Sequence, residues 1–252
     1  MAIHYKTQGF VFKKSDLNES DRFFSVFTSD FGRLEIFAKA IRKLVSKLRN
    51  GIDIFFISDI EFIQGKNRKT LTNAVTIEKF GKLALHPEKF KVANAIGKIL
   101  DNFIKGDEKD EKIFGLIHQT FSKLNNLKIE NCKLKIVYYY FLWSFLSLLG
   151  YKPEVDKCNI CHTKLNPYNI YFSDKLGGII CKKCLAQDNP AVKINSDIVK
   201  ILRLIFKKEW NIVSKLKIAP ASQKLFKKIS DNYCSYILSG HSFNNNAIIN
   251  IV

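Results

Sequence analysis

The sequence predicts an α+β protein: an N-terminal five-stranded OB-type β-barrel followed by a mainly helical domain with an embedded four-cysteine zinc ribbon. Three observations carry this expectation. The first eighty residues alternate between β-prone runs and turn signals. Beyond residue 80 the apolar residues recur at three- and four-residue intervals, the helical period. Cys158, Cys161, Cys181 and Cys184 stand as two Cys-x-x-Cys pairs nineteen residues apart, the spacing of a structural metal site. The expected division is a barrel domain at 1–80 and a helical domain at 81–252, with the zinc module at 156–187.

Five strands are expected at 5–14, 22–28, 33–38, 54–62 and 71–80, with "SDFG" (29–32) and "QGKNRK" (64–69) as turns. A link, "KAIRKLVSKLRNG" (39–51), separates the third strand from the fourth. Five strands with an irregular or helical link after the third is the count of an OB-type barrel, although an SH3-like barrel reads similarly. Six strand phenylalanines, Phe10, Phe12, Phe23, Phe24, Phe27 and Phe37, are mostly core, because a small barrel turns every second residue inward. One or two are expected at the surface, where a ring can stack on a base.

Helices are expected at 86–105, 109–124 and 131–149, the last stopped by Gly150 and Pro153. The apolar run 136–149 is too short to span a bilayer and contains Ser144 and Ser147, so it reads as a buried central helix and no membrane partner is expected. Asn195-Ser196-Asp197 offers an N-cap for a helix to about residue 210, and 221–238 forms another. The tail after Gly240 reads as partly disordered.

Each Cys-x-x-Cys pair presents two sulfurs from one tight turn, and two such turns close a tetrahedral shell around one structural zinc ion with no position open to substrate. Pro167 and Gly177-Gly178 mark turns beside short β-prone runs at 169–172 and 179–180, as a ribbon requires. Two disulfides, or four unrelated core thiols, are the alternatives. "MAIHYKTQGF" has neither the apolar segment nor the cleavage site of a signal peptide, so a cytoplasmic setting with reduced thiols is expected. Cys132 and Cys234 read as apolar fillers, and His162 as a substitute ligand that a closed shell does not need.

Lys and Arg number 41 against 23 Asp and Glu, a formal net charge of +18 over 252 residues. Such a surplus suits a polyanion, although a lysine-rich surface alone produces it too. The link carries Lys39, Arg42, Lys43, Lys47 and Arg49 without an acid, interleaved with Ala40, Ile41, Leu44, Val45 and Leu48. It is expected to anchor by its apolar residues and offer its cations to phosphates. Lys66, Arg68 and Lys69 form a second patch on a hairpin tip. A third basic stretch, 193–228, has helical spacing and reads equally as the outer face of a bundle. Asp16, Glu19 and Asp21 in "SDLNESDR" look like turn and capping residues. His4, His86, His118, His162 and His241 are scattered, and no phosphate loop, dinucleotide fingerprint, H-E-x-x-H or G-x-S-x-G occurs. An enzyme is therefore not expected.

The ordered string of features resembles the RecO family of bacterial recombinational repair proteins. The residues that carry the resemblance are "GFVFKKSDLNESDRFFSVFTSDFGRLEIFAKAIRK" (9–43), "LLGYKPEVDKCNIC" (148–161), "YFSDKLGGIICKKC" (171–184) and "YCSYILSGHSF" (233–243), together spanning most of the chain. The resemblance implies an OB fold, a helical C-terminal domain and an embedded zinc module. It further implies binding of single- and double-stranded DNA, annealing of strands covered by single-stranded-DNA-binding protein, and cooperation with RecR in loading RecA, in the bacterial cytoplasm on the nucleoid. Two positions depart from the family pattern. His162 stands where Gly commonly follows the second cysteine, and Leu142 and Ser144 stand where a charged pair is common, which touches any contact with the acidic tail of the single-strand binding protein. A zinc-ribbon nucleic-acid enzyme, a nuclease or RNA-modifying protein, is the alternative from another class; it needs a convergent carboxylate or His/Cys site. A pure protein-interaction scaffold is a third, and predicts no DNA affinity at low salt.

Overall fold

A computed structural model describes residues 3–127, 131–188 and 190–240. The Cys132 side chain, His241 and the tail beyond residue 240, on which the sequence raised expectations, lie outside the described residues. The chain divides into two compact units, Met1–Leu134 and Lys135–Val252.

In the first unit the expected strands form as β1 (His4–Leu17), β2 (Asp21–Thr28), β3 (Gly32–Ala38), β4 (Phe56–Gln64) and β5 (Lys69–Lys79). They order as β1-β2-β3-β5-β4 and close on themselves. Closure rests on β1, which pairs antiparallel with β2 (Phe10↔Phe27) and with β4 (Thr7↔Ile60). The parallel ladder between β3 and β5 is short, Ile36↔Lys69 and Phe37↔Thr70. Val11, Phe24, Val26, Leu34, Ile36, Ile60, Phe62 and Leu71 fill the interior.

Closure alone does not bury β1, because Phe10 and Phe12 point out of the barrel while Val11 points in, yet all three are buried. The outer face is covered by α2 (Pro87–Phe103) and α3 (Glu111–Asn126), which follow the short α1 (Gly81–Ala84). Phe10 meets Phe121 of α3 with ring centroids 4.5 Å apart, and Phe27 faces Phe114 at 6.5 Å. A Cβ on Gly97 would stand 2.8 Å from the Phe12 carbonyl oxygen, so glycine lets the α2 backbone lie directly on β1. Arg33 of β3 fixes the end of α2, donating to the carbonyls of Asp101 (3.0 Å) and Ile104 (2.7 Å) and to the Asp101 carboxylate (2.7 Å). Lys13 joins the same carboxylate at 2.8 Å. Of the six strand phenylalanines only Phe23 is part-exposed, and Phe10, Phe12 and Phe27 owe their burial to helices rather than to the barrel interior.

The link after β3 is not a helix. Ala40 takes a left-handed φ of 52° and is held by its N–H donating to Asp21 Oδ1 at 2.7 Å. Four-residue turns follow, closed by the N–H groups of Lys43 and Ser46 donating to the carbonyls of Ala40 and Lys43, and only Lys47–Asn50 forms a 3-10 turn.

In the second unit α4 (Asn131–Leu148), which begins at the end of the first, supplies Trp143 as the centre of the core. Its ring stacks on Tyr233 at 5.5 Å and on Phe226 at 6.3 Å, and its Nε1–H donates to Ser230 Oγ at 3.1 Å. All three partners lie on α7 (Pro220–Leu238). Antiparallel β6 (Ile170–Ser173) and β7 (Gly178–Cys181) extend the core, with Phe172 edge-on to Trp143 at 6.0 Å. A third strand, β8 (Val192–Ile194), pairs with β6 and was not expected, since three residues show no legible alternation. The helix expected from the Asn195 cap is α5 (Ser196–Phe206), and Asn195 Oδ1 accepts from the Ile198 N–H at 3.2 Å. It stops short of residue 210 because Lys208 adopts a left-handed φ of 60°, after which α6 (Trp210–Val213) restarts the chain. No described helix is long and apolar enough to cross a membrane.

Asp174, just after β6, is 9% exposed, and its Oδ1 has no hydrogen-bond partner. Burial, with the Asp188 carboxylate adding, pushes its carboxyl up to about 7. A carboxyl with a raised folded pKa stays protonated in the fold while the unfolded chain ionises, so it lowers stability as pH rises from the ordinary aspartate range to about 7. Asp174→Asn should therefore stabilise the protein by roughly 2–4 kcal/mol at pH 8, with the gain growing from pH 5 to pH 8 and flat above. Urea unfolding of the two proteins at several pH values checks this, and a pH-independent difference counts against it.

Candidate nucleic-acid interface and metal centre

The register of the barrel brings basic residues distant in sequence to one end. Asp16 and Arg22 pair across β1 and β2, and Phe56 and Lys79 pair across β4 and β5, so the end of β1, the start of β2 and the end of β5 face the link between β3 and β4. Together they enclose a cleft of about 560 Å3 lined by Lys14, Arg22, Arg42, Arg49 and Lys79, with Asp53, Ile41, Ile52, Asn50 and Phe56. Carboxylates hold some of these cations in place. Asp16 accepts from Arg22 Nε at 2.6 Å and lies 3.6 Å from Arg42, and Asp53 pairs with Lys14 at 2.6 Å. The hydrogen bond from Arg22, with the charges around it, holds the Asp16 carboxyl below the usual range. No ion pair forms to Arg49 or Lys79 among the described residues, and the Lys79 ammonium sits 5.2 Å over the Phe56 ring. Five cations against one lining carboxylate make this end of the barrel suited to a polyanion.

The eight cations singled out in the sequence do not form one surface. Arg42 and Arg49 line the cleft and Lys47 lines a groove beside it. Lys39 and Lys43 are exposed on the link outside both. Lys66, Arg68 and Lys69 sit at or beside the β4–β5 turn, and Arg68 stacks 3.8 Å over Phe37. Lys69 opens β5 and Lys79 ends it, a separation of about 30 Å along an extended strand. Sequence reasoning missed Lys14, Arg22 and Lys79, because only the strand register makes them neighbours. The expected anchoring of the link holds for Ile41 and Leu48, which pack on the barrel core, but Leu44 and Val45 are 88% and 87% exposed. A chain of tight turns does not bring all its apolar residues to one side, so these two are left outside. Asp21 caps the link and Asp16 orders two arginines, so both act structurally.

In the second unit the sulfurs of Cys158, Cys161, Cys181 and Cys184 all lie within 4.8 Å of one another. Cys161 and Cys181 are 3.7 Å apart, and a tetrahedral metal–thiolate shell has sulfurs about 3.8 Å apart. That separation is far beyond a disulfide bond, and all four are free thiols. Thiols this close ionise unequally on their own. The hydroxyl and backbone of Thr163 bring Cys161 down to about 6, whereas burial and the neighbouring cysteines push Cys184 up to about 12. Only a cation at the centre lets all four be thiolates together, so the donor set fits a metal ion. The first pair forms the expected tight turn, with His162 N–H donating to the Cys158 carbonyl at 2.9 Å. The second pair differs: Cys181 ends β7 and Cys184 lies in a 3-10 turn, Lys182–Gln187. Arg203 of α5 donates to the Val155 carbonyl at 2.8 and 3.1 Å, tying the entry of this module to the helices.

Both positions that departed from the family pattern are resolved. His162 is outside the sulfur cluster and takes a left-handed φ of 57°, the conformation that favours glycine. Leu142 is fully buried and Ser144 part-buried, its hydroxyl without a partner, so neither position of α4 presents a charge.

A β-barrel with a cation-lined cleft, in a chain whose second unit gathers four cysteines close enough to hold a metal ion, defines the class of protein. The model for "Recombination protein O N terminal" matches residues 1–80, and that for "Recombination protein O C terminal" matches 85–246. Proteins named "DNA repair protein RecO" are similar along most of their length. That of Dehalococcoides mccartyi is 31% identical over 214 residues, 85% of this chain and 83% of its own. That of Caldanaerobacter subterraneus subsp. tengcongensis is 25% identical over 228 residues, 90% of each chain. That of Alkaliphilus metalliredigens is 27% identical over 240 residues, 95% of this chain and 96% of its own. The chain belongs to the RecO family of DNA repair proteins.

His162→Gly should leave the fold unchanged and stabilise the second unit by up to about 1 kcal/mol, relief of left-handed strain being partly offset by unfolded-state entropy. His162→Val should destabilise it by about 1–2 kcal/mol. Thermal melts with metal present give the ordering Gly, His, Val; a valine variant as stable as the parent contradicts the strain.

Proposed function

We propose that this chain is a non-enzymatic mediator of DNA repair and recombination. It binds single- and double-stranded DNA, anneals complementary strands, and with RecR helps load RecA onto DNA covered by single-stranded-DNA-binding protein, in the bacterial cytoplasm on the nucleoid. The cleft of Lys14, Arg22, Arg42, Arg49 and Lys79, on a chain of the RecO family, carries this reading. We read residues 1–80 as an OB-type DNA-binding domain, on the strand order β1-β2-β3-β5-β4 and the link after β3, and 81–252 as the helical domain for protein partners. Lys39, Lys43, Lys66, Arg68 and Lys69 are secondary phosphate contacts outside the cleft. Annealing requires that two strands be neutralised and held together, with no covalent step.

In the module at 156–187, Cys158, Cys161, Cys181 and Cys184 hold one structural zinc. A closed shell of four thiolates leaves the ion no place for water or substrate, so the metal stabilises the fold. Elemental analysis should give one zinc per chain. Cys158→Ser with Cys181→Ser should lose it along with solubility, and a soluble, metal-free double variant of normal stability contradicts the structural role.

Arg42→Ala, Arg49→Ala and Lys79→Ala together should weaken DNA binding and reduce the slope of log affinity against log salt by about two to three units. An unchanged slope in a folded variant removes the cleft from the interface. Annealing should proceed without nucleotide or divalent metal and leave both strands intact, which a labelled-strand gel reads directly.

A further inference from the structure

Beside the cationic cleft lies a second concavity of about 540 Å3, lined by Lys47, Asn50, Gly51, Ala74, Val75, Thr76, Ile77 and Lys79. The two share Asn50 and Lys79, so they form one track around the end of the barrel. Their chemistry differs. The cleft is cationic, whereas the groove has an apolar floor: Val75 and Ile77, on either side of Thr76 at a bulge in β5, are 57% and 49% exposed and both line it, with Lys79 at its end. Two bare aliphatic side chains in one groove, with Lys47 and Lys79 lining it too, match a ligand whose anionic groups alternate with flat apolar ones.

We propose that this groove is a base-binding subsite for single-stranded nucleic acid. The phosphates lie in the five-cation cleft and along Lys47 and Lys79, and the unpaired bases turn onto Val75 and Ile77. The inference rests on the DNA-binding reading above and adds the element that separates a single strand from a duplex, whose bases are stacked inside and cannot reach a strand face.

An extended acidic peptide is the competing class of ligand, and the geometry disfavours it. A peptide gains affinity by adding to an open strand edge, but the link already lies on β5. Thr76 Oγ1 donates to the Asn50 carbonyl at 3.0 Å, and a Cβ on Gly51 would come within 1.9 Å of the Ala74 carbonyl oxygen. What remains open is the side-chain face, which suits bases rather than a peptide backbone.

The test compares the full chain with its Val75→Ser/Ile77→Ser variant, which removes no charge and alters only exposed positions. The probes are a single-stranded oligonucleotide, an abasic oligonucleotide of equal length, and a duplex. The variant should bind the single strand about tenfold more weakly or worse, bind the abasic strand and the duplex as the parent does, and keep the parent's salt slope. Equal weakening on normal and abasic strands, or no weakening on either, overturns the base subsite; in the second case, protection of the groove by an acidic peptide assigns it to a protein partner. If the parent itself shows no salt-dependent binding, the DNA-binding reading fails first, so the two failures are distinguishable.

Discussion

Everything in the first unit depends on β1 meeting two demands at once: two hydrogen-bonded ladders, and two apolar faces. Its ladders to β2 and β4 close the sheet and leave it no free edge along its central residues. Its consecutive Phe10, Val11 and Phe12 then place apolar groups on both sides, so closure without a covering layer would leave two large rings in water. The helices α2 and α3 are that layer. This explains why the packing unit extends to Leu134 although the strands end at Lys79, and why Arg33, Lys13 and Asp101 are gathered where α2 ends. Burial works against the Asp101 charge, but hydrogen bonds from Lys13 and Arg33 outweigh it and hold its carboxyl below the usual range. The fastening is thus ionic at its rim and aromatic at its centre.

The same closure shapes the basic end. Once β1, β2, β4 and β5 are in register, the link has to run from β3 to β4 across that end. It does so as a chain of tight turns pinned by Asp21 on Ala40, by Ile41 in the core, and by Gly51 against β5. A regular helix there would have no left-handed residue such as Ala40. The turn-built link instead leaves Leu44 and Val45 in solvent and turns Arg42 and Arg49 toward the cleft.

What was legible in the sequence follows from what is local. Strand alternation, helix spacing, the Asn195 cap and the cysteine spacing each involve neighbours within a few residues, so they survive without the fold. Lys14, Arg22 and Lys79 were not legible as a group, because their proximity exists only after Asp16 pairs with Arg22 and Phe56 with Lys79. Val75 and Ile77 read as ordinary strand residues, since alternation does not say which face is left uncovered. Lys66, Arg68 and Lys69 are the converse: the local charge cluster and its hairpin tip were legible, but not its distance from Lys79 at the other end of β5. The left-handed turn after the second cysteine was visible only as a missing glycine at His162, and its conformation explains why that position matters.

The carboxylates in and beside the cleft bear on how the proposed mediator role would work. Asp16 and Asp53 hold Arg22, Arg42 and Lys14 in place before any ligand arrives, so little side-chain entropy is lost when a phosphate replaces or joins them. The same carboxylates lower the net field of the cleft, so each phosphate contact is worth less than it would be against a bare cation. Under the proposed annealing role the product has to be released, and a cleft that is pre-oriented yet partly neutralised would serve fast capture and ready release together. Arg49 and Lys79, without ion pairs among the described residues, then carry the larger share of the attraction. Lys79 lines both the cleft and the apolar groove, so in the proposed arrangement a cation without an ion pair among the described residues stands at the junction between phosphates and bases.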